Sequence, residues 1–456
     1  MQEFDLIVIG SGSGLDVANA AAEHGGMKVA IVEKGRMGGT CLNRGCIPSK
    51  LLIHSADVAE TIRSAGQFGV KVGEFSIDFQ SIAKRTTGIV DSESDGIRSA
   101  FSEIDNPKLF SHECRFIGDK TISVGSETIQ ANKILIASGT RPFIPKIQGL
   151  DGSGFMTSDE ALRLKKQPRV LTIIGGGYIA AEMAHFFGAL GTKVNIVQRG
   201  NLLIPHEDEE VARKFTQVFS KKYNVYLGYD TESVGKKNGG IFFVKARNSS
   251  GKVISLESDQ LLVATGRTPN SDTLDLGKTG VQVDGRGFVR VNKYLETNVK
   301  GIFALGDAVG RYMFKHSANH EAQYAFNNIM HADKKVAVDY AAMPHAIFSW
   351  PQVASVGHTE QELKKDRADY AKAVYPYIRT VMGEAIEDRD GFVKLLASRK
   401  DGRILGCHII GAHASILIHE VLVAMKAGVT IGSIARTVHI HPALSEVVSR
   451  AASSFR

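Results

Sequence analysis

Residues 4–15 read FDLIVIGSGSGL, and this stretch decides the fold. The apolar run over residues 4–10 predicts a buried parallel strand. An alanine-rich helix is expected over residues 11–22, and a second strand over residues 28–33. This order is a βαβ unit, since parallel strands need a crossover between them.

The glycines of this loop indicate a dinucleotide site. Gly10 permits the tight turn, and Gly12 lets the backbone approach a pyrophosphate at a helix N-terminus. Glu33, 23 residues after Gly10, ends the next strand, where an acid accepts hydrogen bonds from ribose hydroxyls. Leu15 stands where the third fingerprint glycine is expected, so Gly14 takes over its packing role. The alternative interpretation is a turn without a ligand.

A second βαβ unit follows, with strands expected over residues 169–175 and 193–198 and a helix over residues 178–190. Its loop, GGGYIA from Gly175 to Ala180, fits the pattern GxGxxA. The acid position of this unit holds Gln198, followed by Arg199. An arginine there accommodates the 2′-phosphate of NADP, whereas an acid binds the ribose diol of NAD. The residues therefore favour NADP, unless Arg199 only faces solvent.

The pattern changes near residue 338, where strand-like segments precede a long helix and a final helix. We predict an α/β fold with two Rossmann-like dinucleotide-binding domains and a C-terminal α+β domain. The expected boundaries divide the chain into residues 1–143, 144–270, 271–337 and 338–456.

Composition excludes several classes of function. The net charge is +7 over 456 residues, but no long basic run is present, so nucleic-acid binding is not expected. No stretch reaches the roughly 20 apolar residues of a membrane helix, and the N-terminus does not resemble a signal peptide. The four cysteines are too few for a secreted disulfide scaffold, which favours a cytoplasmic protein.

Cys41 and Cys46 form the most informative pair. Five residues correspond to about 1.4 helical turns, so a slightly distorted first turn would bring the sulfurs together. A helix N-terminus would favour a thiolate and make one sulfur a nucleophile. A zinc site lacks further ligands at the usual spacing, and two inert thiols remain the other alternative. Cys114 and Cys407 stand alone as ordinary residues.

The segment GGTCLNRGCIPSK, residues 38–50, resembles the redox motif of the pyridine nucleotide-disulfide oxidoreductase family, and within it that of dihydrolipoamide dehydrogenases. The resemblance covers essentially the whole chain. It implies that Cys41 exchanges with the substrate and that Cys46 lies against a flavin. It also implies that Lys50 pairs with Glu182 near the flavin and that Tyr178 covers a nicotinamide pocket.

The same resemblance makes the first nucleotide FAD and the second NAD or NADP, and it expects no metal. Segments 1–143 and 271–337 then form the FAD-binding domain, 144–270 the NAD(P)-binding domain and 338–456 the dimerisation domain. The expected FAD contacts are Gly10, Gly12, Gly14, Glu33, Lys34, Thr40, Lys50, Ser138, Gly139, Asp307, His316 and Ala318. The expected NAD(P) contacts are Gly175, Gly177, Tyr178, Ala180, Glu182, Gln198, Arg199 and Gly266.

The tail HIHPALSE, from His439 to Glu446, is similar to the family's C-terminal signature. By that resemblance His441 is the catalytic base, oriented by Glu446, and it reaches the disulfide of a partner subunit. Disulfide exchange requires such a base because only a thiolate attacks a disulfide. The resemblance therefore implies a homodimer. A histidine before proline in an ordinary loop is the alternative.

The leading activity that the resemblance implies is the oxidation of dihydrolipoamide by NAD(P)⁺ through Cys41, Cys46 and FAD. The dihydrolipoamide is free or carried on a lipoyl-bearing protein. The alternative within the family is an NADPH-dependent reductase of a small disulfide such as glutathione or mycothiol disulfide. Arg199 and the loop before Leu15 favour this alternative, and His439 favours the first. A flavin-binding protein without turnover is a third possibility, which the full set of catalytic residues opposes.

Overall fold

The structure is a computed structural model that describes residues 1–237 and 239–455. The chain forms two compact units. Unit 1 contains Met1–Leu51, Ser81–Phe143 and Gly266–Asp339, and unit 2 contains Leu52–Gln80, Ile144–Thr265 and the described residues from Tyr340 onward. The four-segment domain division stays a prediction.

Residues 1–143 supply the first strands and helices. The strands are β1 (Gln2–Ile9), β2 (Val29–Val32), β3 (Lys108–Phe110), β4 (Cys114–Gly118), β5 (Thr121–Val124), β6 (Glu127–Ile136) and β7 (Thr140–Pro142). The helices are α1 (Gly14–Glu23), α2 (Gly39–Arg44), α3 (Cys46–Ser64) and α4 (Phe79–Ser102).

The middle of the chain supplies the second set of elements. The strands are β8 (Val170–Ile174), β9 (Lys193–Gln198), β10 (Asn224–Leu227), β11 (Tyr229–Lys236), β12 (Phe242–Asn248), β13 (Val253–Ser258), β14 (Gln260–Val263), β15 (Arg267–Pro269) and β16 (Ile302–Ala304). The helices are α5 (Ser158–Ala161), α6 (Tyr178–Ala189), α7 (Glu209–Lys222) and α8 (Lys315–Met330).

The C-terminal segment supplies the remaining elements. Its strands are β17 (Pro344–Ile347), β18 (Gln352–Gly357), β19 (Tyr370–Pro376), β20 (Phe392–Ser398) and β21 (Ile404–Gly411). Its helices are α9 (Glu360–Lys365), α10 (Val381–Ala385), α11 (Ala414–Lys426), α12 (Ile431–Arg436) and α13 (Glu446–Ser453). Short 3₁₀ turns cover Ala65–Phe68, Asn270–Thr273, Leu276–Lys278, Gly306–Ala308 and Tyr377–Arg379.

Unit 1 is built on a mixed sheet of order β3-β2-β1-β6-β5-β4, with β16 also paired to β6. The central pairs β1–β2, β1–β6 and β6–β16 are parallel, and Ile7, Ala30 and Ile134 lie in register across them. Helices α1 and α8 pack together, and Ile329 of α8 shares an apolar cluster with Leu6 and Val8 of β1. The predicted βαβ unit is therefore present.

Unit 2 contains a parallel sheet of order β10-β9-β8-β14, a three-stranded meander β11-β12-β13 and an antiparallel sheet of order β17-β18-β21-β20-β19. The parallel sheet is the core of the second βαβ unit, formed by β8, α6 and β9. The antiparallel sheet with α11 and α13 encloses its own apolar core. The predicted fold class is confirmed.

Candidate active site

The first loop folds as its glycines predict, although its helix begins later than expected. Gly10 has φ +106°, and a Cβ there would collide with the carbonyl oxygen of Ala137. A Cβ on Gly14 would lie 2.8 Å from Cγ1 of Val8 and 2.9 Å from Cβ of Ala137. Gly14 therefore provides the close helix–strand packing that Leu15 does not. Helix α1 begins at Gly14 rather than Ser11, because residues 10–13 form the loop itself.

Glu33 is held in place by the loop. Its Oε2 accepts hydrogen bonds from the backbone N–H (3.0 Å) and the hydroxyl (2.8 Å) of Ser11, and its Oε1 accepts one from the N–H of Gly35 at 2.7 Å. Charged acceptors with several donors are rigidly oriented. The neighbouring Lys34 pairs with Glu113 at 3.0 Å on the surface. Ribose recognition by Glu33 and a role for Lys34 remain predictions.

Asp307 lies in the 3₁₀ turn after β16, beside the end of β6. Its Oδ2 accepts a hydrogen bond from the hydroxyl of Thr140 at 2.8 Å, and Nε of Arg267 lies 3.9 Å from the same oxygen. Burial raises the pKa of Asp307, and the hydrogen bond from Thr140 and the charge of Arg267 oppose that rise. These contacts fix the carboxylate at the carboxyl edge of the sheet, where ligands bind in such folds.

The cysteine pair is arranged differently from the single distorted turn that the spacing predicted. Cys41 lies in α2, Cys46 is the first residue of α3, and Gly45 separates the two helices. Gly45 has φ −144° and ψ −119°, and a Cβ there would lie 2.9 Å from the carbonyl oxygen of Thr40. The chain therefore turns at a glycine between the cysteines and places Cys46 at a helix N-terminus.

The Cys41 thiol forms a hydrogen bond with Cys46. This hydrogen bond and burial raise the pKa of Cys41, while the charge of Lys315 opposes them. Cys46 is exposed, whereas Cys41 is partly buried. The two sulfurs are thus neighbours with different environments. Such an asymmetry suits a pair in which one sulfur exchanges and the other retains a distinct role.

The other cysteines behave as expected. Burial raises the pKa of Cys114 to about 12, and it raises the pKa of the fully buried Cys407 as well. Each of these two thiols therefore lies in surroundings that disfavour its thiolate.

The second loop repeats the geometry of the first within unit 2. Gly175 has φ +115°, and a Cβ there would collide with the carbonyl oxygen of Ala264. Space is open around the Cα of Gly177, which caps the N-terminus of α6. Tyr178 begins that helix half-buried, and Ala180 is buried in its first turn. A helix N-terminus with open backbone is suited to a pyrophosphate.

Gln198 ends β9, and its side-chain amide donates a hydrogen bond to the carbonyl of Leu202 at 3.2 Å. Arg199 follows and is exposed. The side chain of Gln198 is thus hydrogen-bonded within its own loop, and the next residue, Arg199, is an exposed cation. The choice between NADP and NAD at this position stays a prediction.

Lys50, Glu182 and Gly266 were predicted from resemblance alone. Nζ of Lys50 lies 3.3 Å from Oγ of Ser49 in unit 1, and buried Glu182 accepts a hydrogen bond from the N–H of Phe348 at 3.1 Å in unit 2. The carbonyl of Gly266 accepts from Phe143 at 2.9 Å. The pairing of Lys50 with Glu182 and the nucleotide contact of Gly266 remain predictions.

His441 and Glu446 lie together in unit 2. Nδ1 of His441 is 3.1 Å from Oε1 of Glu446, and the imidazole is 66% exposed while the carboxylate is 11% exposed. The hydrogen bond with His441 lowers the pKa of Glu446, with a further contribution from the N–H of Ala443. The ring therefore presents Nε2 outward.

His439 is bound differently, with Nδ1 2.9 Å from the carbonyl of Thr437 and Nε2 2.7 Å from Glu420.

Large apolar side chains are exposed beside His439 in the sequence and on α11. Val438 is 95% exposed and Ile440 79%, and Ile416 and Val423 are exposed seven residues apart on α11. Exposed apolar patches of this kind mark interfaces between proteins.

The residues present fit an FAD at the first loop. A Cβ on Gly12 would meet nothing within 4 Å, so its backbone is open to a phosphate group. Within the described chain, the buried hydroxyls of Ser138 and Ser317 have no hydrogen-bond partner, and buried polar groups normally find one. Gly139, His316 and Ala318 adjoin these serines in sequence. Thr40 lies in α2 beside Cys41.

Sequence reasoning missed three side chains that organise the site. Ser11 holds Glu33, Thr140 holds Asp307, and Lys315 acts on Cys41 while its Nζ donates to the hydroxyl of Ser13 at 3.0 Å. The position of Ser11 inside the glycine loop was an available signal. Lys315 and Thr140 gave none, because their partners are far away in sequence.

Two further observations concern metal binding and membrane spanning. Across residues 1–237 and 239–455, no group of three His, Cys, Asp or Glu side chains is arranged as a metal-binding cluster. None of the helices in those residues is both long and apolar enough to cross a bilayer.

The fold and the site define a class of protein, an oxidoreductase with two dinucleotide loops and a dithiol pair. The chain belongs to the pyridine nucleotide-disulphide oxidoreductase family, whose main sequence profile matches residues 4–322 and whose dimerisation domain matches residues 343–452. The cofactors are FAD and NAD or NADP, the substrate group contains sulfur, and the dimerisation domain indicates a homodimer.

The proteins that are similar to this chain have more than one activity. The chain is 36% identical over 468 residues to mycothione reductase of Mycobacterium tuberculosis, covering 100% of both. It is 36% identical over 464 residues to mitochondrial dihydrolipoyl dehydrogenase of Dictyostelium discoideum, covering 99% of this chain and 94% of the other. Among solved structures, the HOCl-induced flavoprotein disulfide reductase RclA of Escherichia coli matches with a TM-score of 0.87 at 26% identity over 99% of both chains.

Proposed function

We propose that this enzyme transfers electrons between a dithiol substrate and a nicotinamide nucleotide through Cys41 and Cys46. The observation that carries this proposal is the hydrogen bond between the two thiols across the turn at Gly45. Two thiols in contact can close into a disulfide with little backbone movement. When bound, FAD supplies the redox chemistry between this pair and the nicotinamide.

Cys41 is the sulfur that exchanges with the substrate in this proposal. A substrate thiolate attacks the Cys41–Cys46 disulfide at Cys41, and the leaving sulfur is Cys46. The second substrate thiolate then displaces Cys41, which releases the substrate as a disulfide and leaves the enzyme as a dithiol. The substrate gives up two electrons and two protons. The charge of Lys315 opposes the rise in the pKa of Cys41, and it would stabilise Cys41 as a leaving thiolate.

His441 accepts the thiol protons at Nε2. Its Nδ1 is occupied by Glu446 at 3.1 Å, which fixes the tautomer and leaves the other nitrogen for the substrate. In the homodimer, we assign this histidine to the cysteine pair of the opposite protomer. The exposed Val438 and Ile440 on either side of His439 support a partner on this face.

Dihydrolipoamide is our first candidate for the substrate, with NAD(P)⁺ as the acceptor. The support is the redox motif around Cys41, the histidine at position 439 and the similarity to dihydrolipoyl dehydrogenases. On this proposal the lipoyl group is carried by a partner protein or presented as a small molecule.

A small disulfide reduced by NADPH is the second candidate. A specific observation favours it: Gln198 turns its amide to Leu202, and the exposed Arg199 is a cation at the position that selects a 2′-phosphate. The full-length similarity to a mycothione reductase also supports it.

The test is a comparison of initial rates with the purified, flavin-loaded dimer. Dihydrolipoamide is oxidised with NAD⁺ or NADP⁺, and glutathione or mycothiol disulfide is reduced with NADPH or NADH. We expect one pair to exceed the others clearly, and the same pair to be inactive in Cys46→Ser. Turnover by Cys46→Ser at the wild-type rate would overturn the proposal, and so would the absence of turnover with every pair.

A further inference from the structure

A polar seam joins the second half of α3 to the helices of the nucleotide segment, all within unit 2. Three side chains on one side of α3, spaced three residues apart, form it. Asp57 pairs with Nε2 of His185 at 2.7 Å, Glu60 pairs with Nζ of Lys222 at 2.6 Å, and Arg63 donates to the carbonyl of Ala189. The seam therefore contacts both α6 and the C-terminal end of α7.

His185 is the most deeply placed member of this seam. Its side chain has no exposed surface, while that of Asp57 is 31% exposed. Since an ionised carboxylate only accepts hydrogen bonds, Nε2–H of His185 donates to Asp57. Among the described residues, Nδ1 of His185 has no hydrogen-bond partner, so Asp57 is the polar group that orients the ring.

Aromatic side chains pack around α6 at this point of the helix. Phe186 and Phe187 are buried next to it and lie 5.9 and 6.2 Å from the ring of Phe79. The imidazole stacks against Trp350 at 6.3 Å. Apolar packing of this kind is not directional, so it tolerates small rotations of a helix. A buried hydrogen-bonded pair has a defined geometry and removes that freedom.

Helix α6 is the helix that the proposed function assigns to the nicotinamide nucleotide. It begins at Tyr178, and Glu182 lies three residues before His185, on the same face. A rotation or a shift of α6 would therefore move both residues. Arg63 adds to the constraint, because its cation lies at the carbonyl end of α6, where positive charge is favourable.

We propose that Asp57 and His185 are positioning residues: their pair fixes the rotation and lengthwise position of α6 against α3, and so sets where Tyr178 and Glu182 meet a bound nicotinamide. This inference rests on the proposed function in one respect, the assignment of Tyr178 and Glu182 to the nicotinamide. It does not depend on which dithiol or disulfide is the substrate.

The test compares His185→Leu, which removes the donor, with His185→Gln, whose amide still donates to Asp57. Glu60→Gln is the matched control, since Glu60 lies one turn along the same side of α3 but contacts α7. Three properties of the flavin-loaded dimer are measured. These are the single-turnover rate of flavin reduction by NADPH or NADH, the long-wavelength absorption produced by dithiothreitol, and amide hydrogen exchange across residues 178–189 without nucleotide.

We expect His185→Leu to slow flavin reduction by roughly 10–100-fold, because a misplacement of about 1 Å has effects of that size. Exchange across residues 178–189 rises in the same variant, while the dithiothreitol-dependent absorption is retained. His185→Gln recovers most of the rate, and Glu60→Gln matches the wild type. A wild-type rate and exchange in His185→Leu, or equal slowing by Glu60→Gln, would overturn the proposal.

Asp57→Ala provides a second test if His185→Leu does not fold, because the partly exposed Asp57 is more tolerant of truncation. It must slow flavin reduction in the same way, and an unchanged rate would refute the role of the pair. If the proposed function were wrong, the result would differ. The wild type would still reduce its flavin with a nucleotide, but it would turn over no dithiol or disulfide.

Discussion

Nδ1 of His441 lies 3.1 Å from Oε1 of Glu446, and the imidazole is largely exposed while the carboxylate is almost buried. The hydrogen bond lowers the pKa of Glu446 below its usual range. The carboxylate is therefore ionised at neutral pH and accepts a hydrogen bond from Nδ1–H of the ring.

The first prediction concerns this pair. His441→Gln is expected to lower the rate of electron transfer from the dithiol to the protein by about 10²–10⁴-fold, the usual contribution of a general base. Flavin reduction by the nicotinamide nucleotide should not change. Rapid-mixing absorbance measurements separate the two half-reactions.

The matched control is His439→Gln, two residues earlier in the chain. Both nitrogens of His439 already contact protein groups, Thr437 and Glu420. Its loss should leave the dithiol half-reaction within a few-fold of the wild type. If His439→Gln slowed this step as strongly as His441→Gln, the assignment of the base would be wrong.

The second prediction concerns nucleotide choice. Arg199→Glu replaces a cation with an acid at the end of β9, so the ratio of kcat/KM for NADPH to that for NADH should fall by roughly 10–100-fold, as expected for the loss of a charged hydrogen bond. Lys193→Glu makes the same charge change at the exposed start of β9 and should leave the ratio unaltered. An unchanged ratio in Arg199→Glu would show that Arg199 only faces solvent.

A third prediction follows from a buried ionic cluster in unit 2 that joins the loop before α7 to the C-terminal sheet. Nζ of Lys394 lies 2.8 Å from Asp208 and 2.6 Å from both Glu210 and Glu360, and the lysine side chain is 1% exposed. Lys394→Met removes the cation beside the buried carboxylates of Asp208 and Glu360 and should lower the free energy of unfolding by roughly 3–5 kcal/mol. Lys372→Met is the control, because Lys372 contacts Glu360 at 3.1 Å from the surface and should contribute less than about 1 kcal/mol.

The same cluster determines how stability depends on pH. Burial alone would raise the pKa of Asp208, but His408 and the hydrogen bond from Lys394 lower it overall. A lowered pKa stabilises the fold above the unfolded value of about 3.9, and this contribution is lost as the pH falls through the lower folded value. In Lys394→Met the hydrogen bond from Lys394 is lost while burial and the other contacts of Asp208 remain, so the pKa of Asp208 should be lowered less and less stability should be lost on acidification. Denaturant unfolding at several pH values would detect the difference, and parallel profiles for the two proteins would contradict it.

A fourth prediction concerns the flavin loop. Gly12 has open space at its Cα, so Gly12→Ala should fold normally yet bind FAD at least roughly tenfold more weakly, because the methyl group occupies the approach of the pyrophosphate. Gly88→Ala, in helix α4 and also in open space, should bind FAD as the wild type does. Equal FAD affinity in both variants, measured by flavin fluorescence, would place the pyrophosphate elsewhere.

The parts of this protein that the sequence predicted are those that local rules determine. The two glycine loops and their βαβ units were predictable because a tight turn between an apolar strand and a helix needs glycine at fixed positions, such as Gly10 and Gly175. The fold class followed from the order of these units. The start of α1 was misjudged by three residues, because the loop itself occupies residues 10–13.

The parts that the sequence did not predict depend on distant or subtle geometry. The spacing of Cys41 and Cys46 is compatible with one helix, and only Gly45 between them signals the break that the structure contains. The pair of Asp57 and His185 joins residues 128 positions apart, so no local pattern shows it. Contacts with nucleotides likewise depend on side-chain directions that a sequence pattern does not contain.

The central claim is that Cys46 lies against the flavin and that Cys41 exchanges with the substrate. The most direct measurement is the visible spectrum of the flavin-loaded dimer after anaerobic reduction with dithiothreitol, in the wild type, Cys41→Ser and Cys46→Ser. We expect a long-wavelength thiolate–flavin band in the wild type and in Cys41→Ser, and no band in Cys46→Ser. A band that persists in Cys46→Ser, or its absence from the reduced wild type, would contradict the proposed path of the electrons.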